Sequence, residues 1–144
     1  MAVSFTEKEK ASIIAALRQA ATRRAAMVGM RKTTVDELAA EAGISKGAFY
    51  KFYPSKEHLF LDVLEQWYQS IYDRAAQVLA KCSENPPRQR AALVLKAAWR
   101  LMREQPLVRF CQEEIPLMLR KLPESTVQEH YLSVDDFIVT LITT

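Results

Sequence analysis

Glycine is nearly absent from this chain. Three occur in 144 residues, at positions 29, 43 and 47. With so few, neither a glycine-rich phosphate-cradling loop nor a hairpin-rich β architecture can be built. Cysteine is equally sparse: Cys82 and Cys111 stand far apart, with no second cysteine or paired histidines at metal-ligand spacing. Neither a disulfide framework nor a structural zinc site is indicated, and the two thiols read as buried groups in a reducing compartment. His58 and His130 are isolated, so no metal is expected. No apolar run approaches membrane-spanning length, and the N-terminal MAVSFTEKEK has no signal-peptide core; a cytoplasmic protein without a membrane partner is the expectation. No Ser/His/Asp set or close carboxylate pair makes enzymology attractive, so an enzyme is not expected and no cofactor is implied.

Nor is charge of one sign abundant: the formal net charge is +3. Its distribution is uneven. From Arg18 to Lys56 eight basic residues face three acidic ones, an excess of 8 − 3 = +5. From Leu61 onward ten basic residues face eleven acidic, a sum of 10 − 11 = −1. A basic end suits a polyanionic partner, although a solvated basic face accounts for it equally well.

Period-3.6 apolar patterns run through the whole chain, predicting an all-α protein of about seven helices. The first starts at Ser4 or Thr6 and repeats Ile14, Leu17, Ala21, Ala25 and Val28 on one face before Gly29 closes it. The second runs from Val35 to about Ala42 under a Thr34/Glu37 capping box, and Gly43 stops it. Ser45 caps the third, in which Ile44 and Phe49 form a hydrophobic staple and Phe52 continues the inner face. Tyr50, Lys51 and Tyr53 are left pointing outward. Ser55 opens a long fourth helix with a stripe from Leu59 through Trp67 to Leu79, ended by Asn85-Pro86-Pro87. The fifth carries Ala91, Val94, Leu95, Ala98, Trp99 and Met102, with a boundary at Pro106. A sixth, Leu107 to Leu122, is expected to kink at Pro116. The last is expected to start at Ser125 with Val127, Tyr131, Val134, Ile138 and Leu141 inward.

Chemistry concentrates between Thr33 and Lys56. Two short helices joined by a tight turn make a helix-turn-helix: Ala39 permits close packing, Gly43 permits the turn, and Ile44 with Phe49 anchors the second helix. Ser45, Lys46, Gly47 and Ala48 then form the edge that enters a major groove. Lys46 and Lys56 each follow an N-cap directly. A cation there opposes the helix dipole, an arrangement that makes sense if each shares a phosphate with the exposed N–H groups.

Several stretches resemble the TetR/AcrR family of bacterial transcriptional regulators. They are Thr33-Thr34-Val35, Ala39 through Ser45, Gly47 with Phe49-Tyr50, and Phe52-Tyr53-Pro54-Ser55-Lys56-Glu57 with Leu59-Phe60. The resemblance covers roughly the first sixty residues. It implies a three-helix reader, residues 1–54, and a helical effector-binding and dimerisation body, 55–144. It further implies a repressor that binds two-fold operator DNA as a homodimer and leaves it when a small molecule enters the body. Thr34, Tyr50 and Lys56 would hold phosphates, and Lys46, Gly47 and Ala48 would lie against bases. Thr33, Ser45, Lys51 and Tyr53 complete the expected DNA contacts. Ala48 stands where the family often has a hydroxyl residue, and Tyr53 where phenylalanine is common. Trp67, Tyr68, Trp99, Met102, Phe110, Cys111 and Met118 are the candidate walls of an effector cavity, although residues at such spacing are usually core. Such proteins usually pair through two helices after the seventh, so this chain is expected to lack them and to dimerise poorly. The alternative is a ligand-binding or protein-interaction module that keeps the fold without operator binding.

Overall fold

A computed structural model describes residues 4–104 and 107–143, in which eight helices and no strand occur. They are α1 (Glu7–Met27), α2 (Val35–Glu41), α3 (Lys46–Phe49), α4 (Lys56–Lys81), α5 (Pro87–Glu104), α6 (Leu107–Glu113), α7 (Ile115–Leu119) and α8 (Glu124–Thr143). The expected boundary residue Pro106 lies outside the described residues. The all-α expectation holds.

Local signals set the first four elements. Thr6, not Ser4, caps α1, with Glu9 completing the reciprocal box. Thr34 and Glu37 do the same for α2, and Ser45 and Ser55 cap α3 and α4 through the N–H groups of Ala48 and His58. After α2 the chain reverses through a Schellman closure. Ile44 N–H donates to the Ala39 carbonyl at 3.0 Å and Gly43 N–H to Ala40 at 3.1 Å. Gly43 takes the left-handed φ of +72° that this closure requires.

One continuous core crosses the boundary suggested at 54/55. Leu17, Ala21 and Ala25 of α1, Leu38 and Ala39 of α2, Phe49 of α3 and Leu59, Phe60 and Leu64 of α4 bury one another, and Phe110 and Met118 extend the cluster into the body. Phe110 stacks on Phe60 with centroids 5.8 Å apart and meets Trp67 edge-on at 5.7 Å. α4 is therefore shared between reader and body.

Four expectations require correction. The sixth segment is two helices separated at Glu114, not one kinked helix. Pro116 cannot continue a helix, but in the first turn of α7 its missing N–H costs nothing. α8 starts one residue before Ser125, because the Pro123 carbonyl accepts the first helical bond from Val127 at 3.1 Å. In α5 no described side chain is fully buried, and Leu95 and Trp99 face outward, with Trp99 54% exposed; Val94, Ala98 and Met102 take the inner side. In α8 the inward positions are Val127, His130 and Val134, while Tyr131 and Ile138 are exposed. Leu141 is among the residues whose side chains are not described.

Candidate nucleic-acid interface

The N-termini of α2, α3 and α4 converge at one end of the reader. Lys46 Nζ lies 3.0 Å from Asp36 Oδ2 in the first turn of α2, an ion pair exposed on both sides. Lys56 Nζ donates to the carbonyls of Thr33 at 2.8 Å and Met30 at 3.0 Å, and more weakly to Arg31 at 3.5 Å. Both lysines opposing a helix dipole thus have internal acceptors without DNA. Lys56 staples the α1–α2 loop to the start of α4.

The ten expected DNA contacts separate on this geometry. Thr34, Ser45, Lys46, Gly47, Tyr50 and Lys51 are exposed. Tyr50 is 50% exposed, its ring held edge-on against the buried Phe49. A Cβ built at Gly47 meets nothing within 4 Å, so no neighbour in the fold demands glycine there. Three others turn inward, correcting the expectation. The Thr33 side chain is fully buried, its hydroxyl donating to the Gly29 carbonyl at 2.8 Å. Ala48 is 7% exposed, packed inside with Phe49 instead of facing bases. Tyr53 is half-buried and donates its hydroxyl to Asp62, which also receives Arg18 Nε at 2.8 Å and Nη2 at 3.0 Å. Burial, followed by the bond to Asp62, pushes the Tyr53 phenol far above its ordinary range. The tenth, Lys56, is partly exposed and held by loop carbonyls.

A clamp that the sequence does not announce fixes the angle between α1 and α2. Arg23 Nη2 reaches Glu41 Oε2 at 2.9 Å, Arg24 Nε reaches Glu41 Oε1 at 2.8 Å, and Arg24 Nη1 reaches Glu37 Oε1 at 3.2 Å. The Arg23 and Arg24 bonds hold the Glu41 carboxyl below the usual range. Glu37 is lowered chiefly by the Thr34 backbone N–H, with Arg24 contributing. In the unfolded chain both carboxyls bind protons at higher pH than in the folded one. Their contribution is therefore complete at neutral pH. It is lost as the pH falls past the ordinary carboxylate range and through the lowered folded values. Acid titration of the urea midpoint should show this loss, and Glu41→Gln should flatten the profile; an unchanged profile would refute the clamp.

Of the seven candidate cavity residues, Trp67, Phe110 and Met118 are filled core, and Met102 packs against it. Trp99 is on the outer face of α5. Tyr68 and Cys111 are half-buried, with the Tyr68 hydroxyl 3.9 Å from Cys111 Sγ. Among these seven, Tyr68 borders a described cleft, between α4 and α8. Sequence reasoning missed His130, buried on the wall of that cleft with Nδ1 3.1 Å from Glu65 Oε1. Sixty-five positions separate the two, and no local pattern links them. Among the described residues no cluster of His, Cys, Asp and Glu suits a metal ion, and no helix is long and apolar enough to cross a membrane.

Comparison with known proteins places this geometry. Residues 17–63 match the model for bacterial regulatory proteins of the tetR family. Two regulators of Bacillus subtilis (strain 168) are similar to this chain. The HTH-type transcriptional regulator YuxN is 41% identical over 75 residues, which are 52% of this chain and 24% of that protein. The HTH-type transcriptional regulator YerO is 36% identical over 61 residues, 42% of this chain and 21% of that protein. The similarity thus spans about a quarter or less of each relative's length. Two solved structures share the fold. One is a transcription regulator assigned to the tetR family from Shewanella sp. PV-4, with TM-score 0.64 and 22% identity over 94% of this chain and 68% of that one. The other is the fatty acid degradation regulator FadR of Bacillus halodurans, with TM-score 0.56 and 16% identity over 95% of this chain and 69% of that one. Over residues 17–63 this chain carries the helix-turn-helix segment of the tetR family of bacterial regulatory proteins, and the remainder shares the all-α fold of solved regulators.

Proposed function

We propose that the protein is a repressor that binds two-fold operator DNA as a homodimer through residues 1–54 and is released by a small molecule held in residues 55–144. The observation that carries this reading is the division of α3. Ser45, Lys46, Gly47 and Tyr50 are exposed while Ala48 and Phe49 are buried, so one edge of a well-anchored helix is offered outward. Gly47 lets the backbone approach a groove closely. Lys46 is held only by an exposed pair with Asp36, which solvent screens, so guanine O6/N7 can replace that partner. Thr34 and Tyr50 flank this edge as phosphate contacts, with Ser45 and Lys51 beside them. α4 connects this surface to the body. A ligand that tilts α4 would change the separation of two recognition helices and weaken binding to a two-fold site.

Selection from a random DNA pool tests the reading. The protein should enrich a two-fold motif. Lys46→Ala should relax one position per half-site at a cost of about 1–3 kcal/mol there, whereas Tyr50→Phe should weaken every sequence alike. A pool that shows no enrichment would overturn operator binding; an unaltered motif with Lys46→Ala would overturn the base-reading role.

A further inference from the structure

The cleft between α4 and α8 encloses about 220 Å³, and its described walls include Glu65, Tyr68, Gln69, Tyr72, His130 and Ser133. Its chemistry is one-sided. The rings of Tyr68 and Tyr72 lie nearly parallel with centroids 6.3 Å apart, and Tyr68 lies against the His130 imidazole at 6.0 Å. Glu65 is the one carboxylate among the described lining residues, and neither lysine nor arginine is among them. His130 holds Glu65 through Oε1 only, and the Glu65 side chain remains 44% exposed. Oε2 has no hydrogen-bond partner among the described residues.

Accepting the effector reading above, we infer that this cleft selects a small organic cation: an ammonium group carrying an aromatic or short alkyl body. A cation placed there gains the Glu65 carboxylate beside the aromatic rings of Tyr68 and Tyr72. An anion would meet the Glu65 carboxylate, to which the one basic lining group, His130, is already turned, and a neutral apolar molecule would bury a carboxylate without replacing its water. The volume lies below that of a drug-sized pocket, so the ligand is small. Its point of attachment also matters. Glu65 is on α4 three residues beyond Asp62, the carboxylate that holds Arg18 and Tyr53. A cation drawn to Glu65 therefore acts on the stretch of α4 nearest the reader.

Calorimetry with three probes of similar size tests this: benzyltrimethylammonium, benzyl alcohol and benzoate. The cation should bind at least about tenfold more tightly than the alcohol, and benzoate should give no heat at the same concentrations. Glu65→Gln should abolish the preference for the cation, and Tyr72→Leu should weaken its binding several-fold, with both variants checked for native circular dichroism. Should Glu65→Gln fail to fold, Tyr72→Leu decides. Benzoate binding as tightly as the cation, cation affinity unchanged in the folded variants, or no binding by any probe would overturn the inference. The selected DNA fragment then separates the two readings. Saturating benzyltrimethylammonium should lower DNA affinity, whereas a cation that binds without that effect leaves the ligand class standing and overturns the effector role.

Discussion

Lys56→Met should lower the melting temperature of the protein by roughly 10 °C. The ammonium holds two loop carbonyls at good distance, Thr33 at 2.8 Å and Met30 at 3.0 Å, at a partly buried position. Hydrogen bonds from a charged donor contribute about 1.5–3 kcal/mol each. Losing two that share one donor should cost about 3 kcal/mol, which in a domain of this size gives the stated shift. Methionine keeps the apolar stem, so the loss reports the ammonium alone. DNA affinity should fall as well, because the loop carries Thr34 and sets where α2 begins. The salt dependence of what binding remains should stay nearly unchanged. A lysine acting only on phosphate gives the opposite result: an unaltered melting curve and a salt slope shallower by about one. Lys56→Arg should not restore stability, since a planar guanidinium cannot point its donors at convergent carbonyls as a tetrahedral ammonium can.

Lys56 also shows where reading the sequence succeeds and where it stops. The cap at Ser55 and the cation directly after it are visible in the chain, and so is the dipole conflict between them. The acceptors that resolve the conflict are backbone carbonyls 23 to 26 residues earlier, which no spacing rule reaches. The same boundary runs through the rest of the fold. Thr34, Gly43, Ser45 and Ile44 act within a few residues of themselves, and the helix-turn-helix they define was legible almost to the residue. Partners at long separation were not: Arg23 and Arg24 belong to a basic stretch that the sequence leaves open between a polyanion and solvent, and they clamp Glu37 and Glu41.

The body was less legible for a different reason. α5 and α8 each carry more apolar residues than one face needs, so periodicity alone cannot say which side turns inward. Trp99 and Tyr131, the most conspicuous aromatic residues on these two helices, are both exposed. A histidine took an inward position in α8 because Glu65 on α4 supplies a partner for it. Burial of a polar group depends on what the neighbouring helix offers, and that is settled only when the helices meet.

Asp62→Ala should destabilise the protein by about 2–4 kcal/mol, the second large effect. Asp62 receives two bonds from Arg18 of α1 and one from the Tyr53 hydroxyl, and its side chain is largely covered. Alanine there strands a half-exposed guanidinium and a half-buried phenol together. Tyr53→Phe removes only the last bond and should cost about 1 kcal/mol. In the double variant the costs should not add, because both substitutions delete the same Tyr53–Asp62 bond, and a coupling of about 0.5–1 kcal/mol is expected. Additive costs would mean that Tyr53 and Asp62 act independently. DNA binding gives the second readout. Tyr53 closes the segment after α3, its N–H bonded to the Phe49 carbonyl at 3.1 Å, so its bond to Asp62 fixes the recognition helix to α4. Tyr53→Phe should therefore loosen affinity for all sequences together with the melting curve. A tyrosine that instead contacted phosphate would weaken DNA binding while leaving the melting of the free protein untouched.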